Sequence, residues 1–521
     1  MQSLDPSRPH VWPTDLARNG FRTLFFVTTI AGGGVFWLAP HPPMSDLPQH
    51  AAQVATLHDL LLGRSPWDQL VRINLFTPYL LAYGLATALS FLMTVDAALK
   101  LVLTLSFYGF VATYVALRER FQADERLDWL CIPGFFGFAY EYGFFSYLVA
   151  APIGMAFLLT ALDFAERPCL RRGAVLLLAD IAVFFSHGLL FVFVSVIGGV
   201  FLLVRNYADW SRIVRSVWPY LTLVALCGAY ALSHRDVDLA PMYPFKVVWQ
   251  INPLIRALSA TVHPWGIAPK LWMVPATILV LATPFCMGAR WNRRGMAYVP
   301  LAIVALVWFC VPLFAINTYF LFNRFALFIF PFYALNFRSA ERGDKTRGDV
   351  RRRAALTQFA LGAVCVAFLG MQGLRVMRFA VESADFETVS AAVEPAQRAL
   401  NVVFSKSSPA ADNPVVYENF ALWYQADHRG LVDFNAAWFP PQIVRYRLDQ
   451  LPAVGPADVA PEPLVATFDW YRHKGWLYRY FFVRHTSPIP DGLFANANCR
   501  IVLKKNVGNW SVYERQSCHR G

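Results

Sequence analysis

The chain has 521 residues, of which 56% are A, V, I, L, M, F, W, Y or C and only 15% are charged, with a formal net charge of +12 at pH 7. An ordinary soluble domain carries about 25% charged residues, so this chain has too little polar surface to solvate a water-soluble body of its size. The composition also excludes a disordered chain, a collagen and a small disulfide scaffold, since eight cysteines are sparse in 521 residues.

Apolar runs long enough to cross or nearly cross a bilayer core of about 30 Å occupy residues 22–39, 97–117, 127–140, 145–164, 173–188, 189–204, 216–232, 271–288, 297–315, 325–337 and 355–376, eleven in all. The first has a polar lead with Arg8, Arg18 and Arg22 and no small-residue cleavage site before HPPMSD, so it reads as a retained span rather than a signal peptide. Residues 75–93 are a further candidate. Placed at the outer interface instead of across the membrane, they leave twenty-two Lys and Arg in inner segments, seven of them between Arg338 and Arg353. The outer loops then hold seven: Arg64, Arg72, Arg235, Lys246, Arg256, Lys270 and Arg324. The positive-inside rule selects this parity, with the N-terminus inside and the C-terminus outside. Basic residues clustered between apolar runs are the mark of inner loops, and nucleic acid is set aside as a partner. The inner loop ERGDKTRGDVRRR reads as a solvated linker facing anionic lipid.

After residue 378 the chain turns polar, with Pro409, Pro414, Pro440, Pro441 and Pro452, and stretches such as NPVVYENFALWY and WLYRYFFVRH read as strands and short helices. The expected architecture is an α-helical polytopic membrane protein of about eleven transmembrane helices with a C-terminal extracytoplasmic α/β domain. Its parts are a cytoplasmic segment 1–21, a transmembrane domain 22–378 with an outer loop 41–96, and the outer domain 379–521. The chain is expected in the inner (plasma) membrane with its C-terminal domain periplasmic or extracellular. Six cysteines (Cys131, Cys169, Cys227, Cys286, Cys310, Cys365) lie in or beside apolar runs without CxxC spacing and read as small buried hydrophobes. Cys499 and Cys518, alone in the polar tail, fit a disulfide if that tail is outside the cytoplasm.

The polar residues with chemical promise gather at outer ends of runs. In HPPMSDLPQH, Asp46 and His50 stand at an i, i+4 spacing on one helical face, with Pro48 suited to the first turn and Ser45 or Asp46 to the cap. Together they can deprotonate a hydroxyl or hold a divalent cation; the ordinary alternative is that Asp46 caps the helix and His50 is solvated. His58 and Asp59 are rotated away and read as surface residues. Glu141, at a turn with Tyr140, Tyr142 and Ser146, faces the Asp46 compartment as a second acid or lies in an aromatic belt. His187 in FFSHGLL binds a phosphate oxygen or satisfies a backbone carbonyl. Arg324, beside Asn323 in YFLFNRFALF, needs an anionic partner, either a lipid phosphate or a protein carboxylate, unless it snorkels to headgroups. Asp180 lies within an apolar run and carries little weight, and Asp236 and Asp238 read as a solvated loop. There is no GxGxxG, Walker, HExxH or GxSxG motif.

A first span, a long outer loop with an early acid, a Pro-containing amphipathic stretch (FTPYLLAYGL) and a span ending in a basic inner loop (RERF) together resemble the C superfamily of membrane glycosyltransferases (GT-C). The resemblance covers the order of elements over about residues 1–340 and the outer domain after the last span. It implies a polyprenyl-phosphate-linked sugar donor and an acceptor that is a glycan, lipid or protein, with Asp46 at the position of the family's catalytic base or metal contact. DLPQH supplies one acid and one His where an acidic pair is commoner, which leaves a divalent cation open and assigns no residue to a metal. The expected catalytic residues are Asp46, His50 and Glu141, and the expected substrate-binding residues His187, Arg324, Tyr140 and Asn323. A transporter or flippase of a lipid-linked glycan is the alternative, though no internal repeat is visible. A non-catalytic envelope assembly protein is the other.

Overall fold

Where an apolar run has no break, it forms one long helix. Val95–Phe121 starts after an extended Thr94 with Asp96 in its first turn, and it stops at Gln122, whose left-handed backbone (φ 56°) ends the hydrogen-bond ladder. Arg118 and Arg120 in its last turn offset the negative end of the helix dipole. The computed structural model describes residues 13–234, 247–315, 318–339, 348–455, 458 and 468–518. The loop with Asp236 and Asp238 and most of ERGDKTRGDVRRR lie outside the described residues.

The described chain is mostly helical, with four helices long and apolar enough to cross a membrane: Val95–Phe121, Phe145–Glu166, Gly188–Asn206 and Arg352–Ser390. A fifth span results if Trp210–Ser216 and Trp218–Ser233, bent by 43°, count as one. Among the described residues the count is thus four or five, where the sequence leads to an expectation of eleven. A bilayer core asks for about 20 helical residues, whereas the run 271–288 yields a 14-residue helix, Met273–Cys286, and 325–337 a 9-residue helix, Ala326–Ala334. Residues 127–140 break into Glu125–Leu130, Cys131–Phe136 and Phe138–Tyr142, nearly all of it buried. Phe26, Leu178, Val224 and Phe359 are each more than 60% exposed on the outside of the helices, an apolar surface suited to lipid. Cys131 and Cys365 are buried as expected, but Cys169, Cys286 and Cys310 lie on the surface.

Residues 75–93 give a short helix, Leu80–Ser90, following Pro78. The last long helix, Gly348–Ser390, runs without interruption past residue 378, so the expected domain boundary falls inside a helix. Seven strands of three or more residues lie among the described residues: β1 (Val71–Ile73), β2 (Arg398–Val403), β3 (Leu431–Asp433), β4 (Val444–Tyr446), β5 (Tyr480–Arg484), β6 (Cys499–Val507) and β7 (Trp510–Cys518). The C-terminal sheet has the order β6-β7-β5-β2-β3, antiparallel through β6, β7 and β5 and parallel through β5, β2 and β3. Cys499 and Cys518, register partners at the open end of β6–β7, form a disulfide. Phe386 on the long helix stacks edge-on against Trp510 and Phe420, at 4.9 and 5.3 Å between centroids, and so joins that helix to the sheet.

The remaining two strands tie the ends of the sequence together. β1, in the first loop, pairs antiparallel with β4, Val71 opposite Tyr446 and Ile73 opposite Val444. Alongside, the loop helix Leu47–Leu61 turns a polar stripe toward the C-terminal domain at the i, i+3, i+4 spacing of one face. Gln49 donates to Asn419 (3.0 Å) and accepts from the Ala436 N–H (2.6 Å); Gln53 accepts from the Val444 N–H (2.8 Å); Thr56 accepts from Gln425 (3.0 Å). Asp59 takes Arg429 (2.7 Å) and Arg64 (2.9 Å), so it is a buried tie between segments and not the surface residue expected. In Gln53→Leu, the buried Val444 N–H loses its acceptor, a cost of about 1–3 kcal/mol. A lower thermal unfolding midpoint of the full chain, with faster proteolysis of residues 413–446, is the expected result.

Candidate functional site

The start of the loop helix is where most of the singled-out residues meet. Asp46 occupies the N-cap position with Pro48 in the first turn, as the sequence suggests, but its carboxylate makes no cap bond. The Asp46 N–H instead donates to the Tyr142 carbonyl at 2.9 Å. Gly143 makes that contact possible: its φ is 88°, and a Cβ there would lie 2.8 Å from the Asp46 nitrogen. The carboxylate is then free to accept from Asn419 of the C-terminal domain (3.3 Å). Burial pushes the Asp46 pKa up to about 7, with Arg324 opposing and Glu418 adding to the rise.

Arg324 is the single charge around which the site is organised. Its field acts on Asp46, His50, His187, Tyr79, Tyr142 and Tyr147. The guanidinium lies 3.7 Å over the Phe144 ring and donates to the Tyr319 carbonyl (3.2 Å), while its Nε has no hydrogen-bond partner. Burial lowers its pKa against the opposing pull of Tyr79 and Asp46. No carboxylate forms a direct ion pair with it among the described residues, so its donors remain largely uncommitted.

Two histidines flank this cation. His50 is buried rather than solvated; its Nδ1 lies 2.8 Å from the Tyr83 hydroxyl, which donates to Gln442 of the C-terminal domain at 2.6 Å. That hydroxyl has one proton, so His50 donates from Nδ1 and presents an unprotonated Nε2. Burial, then Arg324, pull the His50 pKa down to about 3, which keeps the ring neutral. His187 caps the helix Gly188–Asn206: its Nδ1 accepts from the Leu190 N–H (3.4 Å), which puts its proton on Nε2. That Nε2 is buried without a partner, between Tyr79 and Tyr147 at 5.4 and 5.1 Å. The Tyr147 hydroxyl and the Asn323 Oδ1 are unpartnered too. Buried polar atoms are nearly always satisfied, and Arg324, its neighbour Asn323, His187 and Tyr147 each keep one without a protein partner among the described residues.

Glu141 and Tyr140 do not join this group. The Glu141 carboxylate accepts from the Ile267 N–H (2.7 Å), from Gln372 (3.3 Å) and from Arg375 (3.4 Å), the last two on the long helix. Burial raises its pKa to about 7 in spite of those donors. It is a knot holding the 138–142 turn to the long helix, which corrects its expected orientation toward Asp46; Tyr140 packs beside it on Phe36 and Phe136. Asp180 is likewise engaged, by the Ser195 hydroxyl at 3.1 Å. Among the described residues no group of three or more His, Cys, Asp or Glu comes together.

Several residues here carry no signal in the sequence. Tyr79, Tyr83 and Tyr147 stand in apolar stretches where nothing sets them apart, and Asn419 and Gln442 reach the site across 373 and 359 residues of chain. His41 is another. Its ring stacks on Trp423 (3.9 Å) and contacts Glu387 on the long helix (2.6 Å) and Asp427 (3.4 Å), closing the start of the loop onto both. Burial pulls its pKa down, but the hydrogen bonds to Asp427 and Glu387 outweigh it and raise the value from 6.5 to about 9. Because folding raises this pKa, its stabilisation is complete below pH 6.5 and is lost as pH climbs through about 9. Between those limits the unfolding midpoint of the wild type is expected to fall more steeply than that of His41→Gln. Equal slopes in a pH series of thermal melts would refute the clasp.

The chain matches no family model, no curated protein and no solved structure.

Proposed function

We propose that the protein is a membrane glycosyltransferase that moves a sugar from a polyprenyl-phosphate-linked donor to an acceptor hydroxyl on the outer face of the inner membrane. The observation that carries the reading is the gathering of Asp46, His50, His187 and Arg324 around unpartnered buried donors, between apolar helices and a polar domain. A phosphate linked to sugar suits these groups: Arg324 offers paired N–H donors, and the neutral His187 offers its Nε2–H. Asp46 takes the acceptor proton as the acceptor oxygen bonds to the sugar's anomeric carbon and the bond from that carbon to phosphate breaks. The leaving phosphate keeps the electron pair, and Arg324 stabilises it.

A carboxylate with a pKa of about 7 suits a general base near neutral pH. Exposed apolar side chains of the outer stretch 75–93, Leu75 at 63% and Leu92 at 83%, offer a surface for a polyprenyl tail. The Cys499–Cys518 disulfide supports an oxidising compartment for the C-terminal domain.

Asp46→Asn keeps the shape and the Asn419 contact but cannot accept a proton. In proteoliposomes with a polyprenyl-phosphate sugar, transfer is expected to fall about 10²- to 10⁴-fold at unchanged unfolding temperature. The wild-type rate is expected to drop as pH falls below about 7. Transfer at the wild-type rate in Asp46→Asn removes this reading.

A further inference from the structure

A second cationic locus lies where β1 and β4 pair. Arg72 is the direct register partner of Arg445, and residues opposite one another in an antiparallel pair project to the same side, close enough to interact. Like charges in that relation repel. Arg445 is nevertheless 3% exposed, and its Nε has no hydrogen-bond partner. Arg72 is exposed at the rim.

What surrounds the pair is as telling as the pair itself. The groups whose charge acts on Arg445 are Arg72 and Tyr230. Next to them His234 packs at a tilt on Tyr230 with 4.2 Å between centroids, its Nδ1 engaged by the Ser233 hydroxyl at 2.8 Å and the Tyr230 carbonyl at 3.0 Å, and the charges acting on it are again Arg445 and Arg72. Two guanidiniums and an imidazole therefore share one neighbourhood, and among the described residues no carboxylate acts on Arg445 or His234. The locus adjoins the bundle: Phe76, three residues after β1, packs on Phe184, Phe185 and Tyr230, and Asn74 donates to the Ile443 carbonyl at 2.7 Å.

A buried guanidinium beside a second one is destabilising unless an anion supplies the missing charge. Arginine's planar fork matches two oxygens of a phosphate at once, and two forks on neighbouring strands match one tetrahedral anion better than they match a flat carboxylate. We propose that Arg72 and Arg445, with His234 at their side, bind a phosphate group, carried by a lipid headgroup or free in solution. This locus does not include Arg324, and the proposal does not depend on the transferase reading.

Thermal unfolding of the full-length protein in neutral detergent tests it, with inorganic phosphate in one arm and a short-chain phosphatidylglycerol in the other. Chloride at matched ionic strength is the reference for the first, and the corresponding diacylglycerol without phosphate for the second. The midpoint is expected to rise with the phosphate-bearing ligand. Arg72→Gln removes an exposed residue and relieves a repulsion, so without ligand it is expected to unfold at the same temperature or higher. Its apparent affinity for the ligand is expected to be weaker by roughly tenfold or more, the loss of one charge-assisted contact. Arg445→Lys, which keeps the charge and loses the fork, is expected to weaken binding similarly. A response to inorganic phosphate assigns free phosphate as sufficient, and a response to the lipid alone assigns the headgroup. No ligand-dependent rise, or a rise undiminished in both variants, overturns the proposal.

Discussion

The protein depends on a helix that cannot be left alone. Leu47–Leu61 buries Gln49, Gln53, Thr56 and Asp59 along one side, and each of these groups would be destabilising in a dry interface without a partner. The C-terminal domain returns the bonds: backbone N–H groups of Ala436 and Val444, and side chains of Asn419, Gln425 and Arg429. Apolar contact alone would let the domain slide over the bundle. Hydrogen bonds at fixed spacing along a helix set one register, and the short β1–β4 ladder sets it a second time. Asp46 and His50, on the first turn of the same helix, are thereby located relative to both halves of the molecule.

That location shapes the chemistry. Asn419 and Gln442, which touch Asp46 and, through Tyr83, His50, belong to the C-terminal domain, whereas Arg324 and His187 belong to the helical part. The site is thus shared between the two. Burial does most of the electrostatic work: it raises the carboxyl pKa of Asp46 and lowers those of His50 and Arg324. His50 is thereby held neutral, and Asp46 titrates near neutral pH.

Much of this was legible in the sequence where the signal is local. The unbroken apolar runs at 97–117, 145–164, 189–204 and 355–376 correspond to the four long helices, and Asp46, His50, His187 and Arg324 stand out because charge or imidazole is costly at the end of an apolar run. Hydrophobicity alone does not register backbone breaks, so the run 127–140, interrupted at Gly137, and the run 325–337 read as spans in sequence while the structure gives short helices there. Glu141 looked like a site acid because its structural partners, Gln372 and Arg375, lie more than 230 residues away. The same holds for Gln49, Gln53 and Asp59, whose role is invisible until the C-terminal domain is placed against them. Six of the cysteines read alike in sequence, yet which are buried is decided by helix packing.

The stripe on the loop helix also sets a timetable for synthesis. Its partners lie about 370 residues downstream, a stretch that takes on the order of 20 to 70 s to translate at ordinary elongation rates. Throughout that interval Gln49 and Gln53 lack the partners that the C-terminal domain later supplies, while Asp59 has only Arg64 and Thr56 only the Ala52 carbonyl. The contact between the first loop and the C-terminal domain is therefore made only after most of the chain has emerged.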